Sequence, residues 1–490
     1  MSNNSIQKNF FFQVGYQLLM FLIPLIVAPY LTRTLGSEGL GNYSYINTFV
    51  AYAGLIANLG IATYGQRLIA ETRDNRELLR KSFWSLYYLH LITSALALVA
   101  YYSMLLLLNN NSKMLVIQSL FVIAMAFDVT WFFYGLEDFK SVVIKNGAIK
   151  CLECILIFSL VRQKSDIYLY SIINGGSTLL GYLVMLPQAF KLVSPIKVSL
   201  DDIKSHLKPV LLLFVSVVAV TIYTVFDKTL LGWMISNNAV AYYEYSAKII
   251  EIPKQLLNAL GMVILPRACY AFSQGKNDEQ KYYFDLAIFL TCVVGSAFVF
   301  GLSAISEKFV LIYYGENFIE CGKGIITMSP LILIVLLGNV YRTVYIIPAK
   351  LDKQLTICLI MSSGINIVLS LIFIPILGVY GAIIGTISAE IFGLFFQATY
   401  CRKYVPLYNL FRNLIPFLMI GFVMYFVVSI LNSTLDASVV SLLLEIVVGA
   451  VVYSICALLI TRMFFKEKWN IMFKIIKKYR LFNKKMISNR

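Results

Sequence analysis

The run "VLLLFVSVVAVTIYTVFDKTLLG" (210–232) decides how the rest of this chain is read. Val210 to Phe226 carry no charge, and then Asp227 and Lys228 stand side by side before the apolar residues resume. A bilayer-spanning helix needs about 20 predominantly apolar residues, so this is one span with an ion pair near its end. A water-soluble protein would place such a pair on a wet surface, and this chain has little of that. Of its 490 residues 59% are hydrophobic and 13% charged, with a mean hydropathy of +0.77. Soluble domains carry roughly 25% charged residues. The composition specifies an all-α polytopic membrane protein.

The formal net charge of +16 reflects membrane orientation rather than nucleic-acid binding. Ten of the 41 Lys and Arg residues follow residue 460, and most of the others fall in alternate inter-span loops. Fourteen apolar segments lie between residues 10 and 464. With the N-terminus cytoplasmic, 31 basic residues fall on the cytoplasmic side. Only six fall opposite: Arg33, Lys113, Arg162, Lys164, Lys308 and Lys323. This asymmetry predicts cytoplasmic N- and C-termini and an even number of spans. The first span follows a single Lys8 and is too long for a signal core. The eight Cys are scattered. "CLEC" (151–154) lacks the second pair that a zinc site needs, and the two His, His90 and His206, read as ordinary interfacial residues. Neither a metal site nor a cofactor motif is written into the chain. No loop exceeds about twenty residues and no phosphate-binding glycine loop occurs, which leaves no room for a soluble catalytic domain.

The longest connection, "KLVSPIKVSLDDIKSHLKP" (191–209), pairs Ser199 with Asp202 in a capping-box pattern before Pro209. It reads as a short surface helix joining two halves. The tail carries Trp469, Met472, Phe473, Ile476 and Tyr479 on one stripe among lysines, an amphipathic pattern suited to membrane lipids of the anionic cytoplasmic leaflet. A charged tail that merely fixes orientation is the alternative.

An internal repeat sets the organisation. "GLGNYSY" (39–45) returns as "AVAYYEY" (239–245), which places Tyr43 on Tyr243 and Tyr45 on Tyr245. Arg33-Thr34 returns as Lys228-Thr229, and "LIF" recurs at 156–158 and 371–373. A duplicated unit of six spans follows, with both copies in the same orientation. The expected division is a first lobe at 1–190, a linker at 191–208, a second lobe at 209–400, two added spans at 401–464 and a basic tail at 465–490.

A charge at the bilayer centre costs at least ~2.5–3.5 kcal/mol, so intramembrane ionisable residues are functional candidates. "YYEYSAKIIEIPKQ" puts Glu244, Lys248 and Glu251 at i, i+4 and i+7, one helical face. That face reads as the lining of a wet cavity, with a self-neutralising structural ladder as the alternative. Lys228, Lys254 and Arg342 add positive charge suited to an anionic head group such as diphosphate. Asp227 and Lys228 close span 7 toward the outer face and read as a lobe-entry feature, facing the outward mouth or pinning the two lobes there. Asp128, Glu153 and Glu390 are candidates for binding a coupling ion, H⁺ or Na⁺. Glu445, in an added span, reads as an interface or lipid-side residue.

The stretches "LTRTLGSEGLGNYSY", "DVTWFFYGLEDF", "DKTLLGWMISNNAVAYYEYSAKI", "ILPR" and "IFIPILGVYGAIIGTISAEI" together resemble the polysaccharide repeat-unit flippases. These belong to the multidrug/oligosaccharidyl-lipid/polysaccharide exporter superfamily. The resemblance implies about 14 transmembrane helices, two six-helix lobes plus two C-terminal helices. It also implies alternating access and an undecaprenyl-diphosphate-linked oligosaccharide moved to the outer leaflet of the bacterial plasma membrane for capsule or O-antigen synthesis. Polysaccharide polymerase and glycosyltransferase partners come with it. Its motifs fall here on Arg33, Asp128, Asp227, Lys228, Tyr243, Lys248 and Glu390. Physics is consistent with the cargo, because a glycan diphosphate cannot shed its water into hydrocarbon unaided. Moving about two negative charges out of a negative cytoplasm gains ~4–5 kcal/mol per 100 mV.

Two rivals differ in what they require. An H⁺- or Na⁺-coupled drug exporter of the same superfamily calls for carboxylates and an apolar pocket rather than several cations. A membrane polymerase or ligase calls for a sizeable outward loop carrying catalytic residues, and every outward loop here is short.

Overall fold

The computed structural model describes residues 3–104, 112–402 and 406–469. Among the described residues it is all-helical, and ten helical stretches are long and apolar enough to cross a membrane. Among the described residues, the sequence-predicted apolar segments fall mainly on helix. Some are broken internally, as where α4 (Ser112–Met125) gives way to α5 (Thr130–Gly135). The tail residues Met472, Phe473, Ile476 and Tyr479 lie outside the described residues.

The first two spans, taken together as α1 (Asn3–Asn58), are two helices that meet at a kink rather than across an open loop. Gly36 makes the kink, with φ 72° and ψ 173°. Only glycine enters that left-handed φ without a steric penalty, so one residue does the work of a turn. α1 continues to α2 (Ile61–Thr72) and α3 (Arg76–Ser103), the latter capped by Asn75, whose side chain accepts from the N–H groups of Glu77 and Leu78.

The Ser199–Asp202 capping box is present, with both reciprocal hydrogen bonds at 3.1 Å. It does not start a separate surface helix. It starts α9 (Leu200–Met234), which runs on through Pro209 into the seventh span. Proline removes one backbone donor, a loss that a helix of 35 residues absorbs.

The described chain then continues through α6 (Phe139–Leu160), α7 (Ile167–Leu183), α8 (Leu186–Leu192), α10 (Asn237–Ser273), α11 (Asn277–Tyr313), α12 (Glu320–Met328), α13 (Pro330–Tyr341), α14 (Asp352–Leu377), α15 (Val379–Cys401), α16 (Leu407–Thr434) and α17 (Val439–Phe464). It divides into two compact units. The first comprises Met1–Glu244, Tyr313–Phe318 and Ser363–Ala382. The second comprises Tyr245–Ile312, Ile319–Ser362 and Ile383–Arg490.

In the first unit α1 packs against α3, α4, α6 and α9, while α4 packs on α7 and α2 on α5. An aromatic core gathers at the end where the 191–209 connection passes. Phe83 stacks between Tyr87 and Trp131, and Trp84 stacks on Phe190 while donating from Nε1 to the Val193 carbonyl at 2.9 Å. His206 bridges Tyr64 Oη and Ser85 Oγ, 2.8 Å from each, and is the interfacial histidine expected. His90 departs from that expectation, being buried in α3 at 1% exposure. The two echoes of the repeat meet here. A Cβ on Gly41 would lie 1.8 Å from the Asn237 carbonyl oxygen, so the second half of α1 rests directly on the start of α10.

In the second unit Phe284 packs on Tyr341, and Phe289 packs on Phe417 and Phe465. α17 is tied to α11 by an ion pair of Lys308 with Glu445 at 2.5 Å, with side-chain exposures of 6% and 0%. Glu445 is thus an interface residue and not a lipid-side one.

Candidate functional site

Three consecutive residues of α9 leave the helix in three directions, because successive side chains on an α-helix are about 100° apart. Asp227 is 1% exposed. It accepts hydrogen bonds from Tyr243 Oη on α10 (3.0 Å), Ser370 Oγ on α14 (2.7 Å) and Asn366 Nδ2 on α14 (3.3 Å). Lys228 turns to Glu244 on α10, 3.0 Å away, and both side chains are about a fifth exposed. Thr229 meets Tyr52 of α1 with 2.8 Å between hydroxyl oxygens. Both α9–α10 contacts join residues sixteen apart, as expected of two antiparallel helices joined by a tight turn.

The two members of the "DK" pair part company: the carboxylate belongs to a buried network within the first unit, and the ammonium to a largely buried ion pair with Glu244. Asn366 and Ser370 escaped the sequence reading. Their only signal is a polar pair at i, i+4 within the apolar run "SSGINIVLSLIF" (362–373).

The expected Glu244–Lys248–Glu251 face lies on α10, and the structure gives each member its own surroundings. Glu244 holds Lys228. The Lys248 side chain is exposed, with its ammonium 4.2 Å from the Tyr245 ring centroid, a cation–π contact. Glu251, also exposed, pairs with Lys254 one turn on. Arg33, on α1 just before the Gly36 break, is exposed and lies over Gly315.

Arg342 begins a five-residue π-helical turn, Arg342–Ile346, following α13. The Ile347 N–H donates to the Arg342 carbonyl at 2.9 Å, the wider i to i+5 bond. Such turns are rare and concentrate at functional sites. Arg342 Nε is buried without a hydrogen-bond partner among the described residues. Arg342 and Glu390 of α15 both fall within electrostatic reach of Cys358 on α14, a juxtaposition that their positions in sequence do not show.

The remaining carboxylates differ in how they are held. Asp128 lies in the break between α4 and α5, accepting from the Thr130 N–H at 2.8 Å and the Thr130 hydroxyl at 2.7 Å. Glu153, 6% exposed, is paired with Lys150 at 2.6 Å and accepts from the Ser177 hydroxyl.

Comparison with known proteins places this arrangement. The family described as Polysaccharide biosynthesis protein matches residues 6–271. A relative from Shigella dysenteriae carries the provisional name O-antigen transporter. It is 26% identical over 381 residues, 77% of this chain and 95% of that protein. A relative of the same provisional name from Escherichia coli strain K12 is 23% identical over 393 residues, 79% of this chain and 94% of its own length. Among solved structures the fold is similar to that of the lipid II flippase MurJ, with a TM-score of 0.72 at 15% identity, covering 93% of this chain and 98% of that one. A multidrug resistance MATE family transporter of the MOP superfamily aligns with a TM-score of 0.59 at 14% identity, covering 79% of this chain and 95% of that one. With more than half its length matched, this multi-pass membrane protein belongs to the Polysaccharide biosynthesis protein family.

Proposed function

We propose that the protein is a flippase that moves undecaprenyl-diphosphate-linked oligosaccharide repeat units from the inner to the outer leaflet of the bacterial plasma membrane. It works by alternating access, with both termini cytoplasmic. The coverage of relatives named as O-antigen transporters supports the cargo class. The observation within this chain that carries the reading is Lys248, an exposed ammonium on the membrane-spanning helix α10. Within the second unit, Arg342 and Lys254 add the further positive charge that a diphosphate needs; Lys228 and Arg33 are cationic candidates of the first unit.

Coupling to H⁺ or Na⁺ is best served by Asp227. Its carboxylate is buried and accepts from Tyr243, Asn366 and Ser370, a polar shell that supports a cation-exchanging role. Glu153 is already matched by Lys150 and Asp128 is committed to its own turn, which makes both weaker candidates. Glu390, within electrostatic reach of Cys358 as Arg342 is, remains an ion-coupling candidate of the second unit. Polymerase and glycosyltransferase partners would supply and consume the glycan.

The reading is tested in cells lacking their own repeat-unit flippase, complemented with Lys248→Ala or Arg342→Ala and assayed for lipid-linked repeat units reaching the outer leaflet. Loss of at least tenfold in either variant is expected. Full translocation in both would overturn the cationic cargo site. A reporter fused after Arg490 should report a cytoplasmic end.

A further inference from the structure

The second unit contains a polar cavity of about 320 Å³ whose lining includes none of the candidate site residues described above. Its walls are two stripes on otherwise apolar helices. α11 contributes Ser303, Ser306 and Glu307 at i, i+3 and i+4, and α16 contributes Tyr425, Ser429, Asn432 and Ser433 at i, i+4, i+7 and i+8. Each set shares one helical face. Its size falls within the range of small-molecule sites, ~300–1,000 Å³.

The chemistry of the lining is one-sided. Ser303 donates to the Val299 carbonyl at 2.7 Å, Ser306 to the Ser303 carbonyl at 3.2 Å and Ser433 to the Ile430 carbonyl at 2.8 Å. Asn432 Nδ2 donates to the Ala304 carbonyl at 2.9 Å. The Ser306 and Ser433 hydroxyl protons are thus committed to backbone, and these oxygens, with the Asn432 amide oxygen, offer the cavity lone pairs. Glu307 adds a carboxylate, and no ion pair to it occurs among the described residues. The walls are fixed before any ligand arrives. Besides the Asn432 bond, Lys308 Nζ donates to the Leu435 carbonyl at 3.0 Å and holds the end of α16 to α11. Pre-organised acceptors around one negative charge favour a ligand that is itself a cluster of donors.

We propose that this cavity is a binding site for a primary ammonium group, with Glu307 as its counter-ion and the α11 and α16 oxygens as its acceptors. Two sources share that chemistry, the head group of an ethanolamine lipid and an amino sugar. On the topology proposed above, the cavity lies toward the outer leaflet. It does not include Lys248 or Arg342, so its failure and that of the flippase reading are separable.

The test uses the full-length protein in nanodiscs. Ethanolamine and glucosamine should raise the unfolding midpoint, while N-acetylglucosamine, choline and sodium at equal concentration should not. Glu307→Gln should weaken ammonium binding at least tenfold, and Ser429→Ala several-fold. Native mass spectrometry after reconstitution in mixed phosphatidylethanolamine and phosphatidylglycerol separates the sources. Selective retention of the ethanolamine lipid that is lost in Glu307→Gln assigns the head group. A response to glucosamine without lipid selectivity assigns the sugar. Equal shifts with sodium or N-acetylglucosamine, or undiminished binding in Glu307→Gln, would overturn the proposal.

Discussion

Tyr243 donates its phenol to Asp227 across 3.0 Å in a fully buried contact, and so links the second copy of the repeat to the one buried carboxylate of the "DK" pair. Ser370 and Asn366 complete the shell from α14. A hydrogen bond to a charged group contributes ~1.5–3 kcal/mol. Tyr243→Phe should therefore lower ion-dependent translocation about tenfold, a change equivalent to ~1.4 kcal/mol. Asp227→Asn, which keeps shape but not charge, should abolish the ion dependence while leaving a folded protein in the membrane. A translocation assay run at varied H⁺ and Na⁺ gradients measures both. Unchanged ion dependence in Asp227→Asn removes Asp227 from coupling.

Lys308 and Glu445 hold α17 on α11 from a nearly solvent-free position. Removing one partner of such a pair leaves a buried unmatched charge, at a cost of ~3–5 kcal/mol. Lys308→Met alone should lower the unfolding midpoint sharply in detergent. The double change Lys308→Met with Glu445→Leu should recover most of it, because two matched apolar side chains tolerate burial.

Gly41 approaches Asn237 so closely that no Cβ fits without moving backbone. Gly41→Ala should destabilise the first unit by about 1–3 kcal/mol, the usual range for overpacking. Gly147→Ala is the matched control, since nothing lies within 4 Å of its added Cβ. Equal unfolding midpoints for the two variants would contradict the close α1–α10 approach.

His206, on the connection ahead of the seventh span, is held neutral. Desolvation by burial lowers its pKa from the ordinary 6.5, with Asp202 opposing the shift. The folded form thus binds its proton less readily than the unfolded form. Stability from this contact is full above about pH 6.5 and is lost as the pH falls through the lowered folded value. Asp202, held down to about 2 by Lys81 and Ser199, stays charged throughout that window. Hydrogen exchange in residues 199–206 should accelerate on acidification from pH 7.5 to 5.5. His206→Gln, which keeps hydrogen-bonding capacity without a titrating ring, should flatten the response.

The all-helical membrane fold was legible from composition and apolar run length, because hydrocarbon imposes one rule on every residue that enters it. Backbone groups must bond internally and side chains must be apolar, so spans announce themselves one segment at a time. The Ser199–Asp202 cap was legible for the same reason, since its partners are three residues apart.

What only the tertiary structure decided was the partner of each charge. Neighbours in sequence, Asp227 and Lys228 parted to a buried polar shell and a largely buried ion pair. Residues far apart met, as Lys308 met Glu445. Helical periodicity specifies the face from which a side chain departs. Which helix that face meets depends on packing between distant segments, and that long-range choice decides whether a carboxylate titrates, holds a lysine or caps a turn.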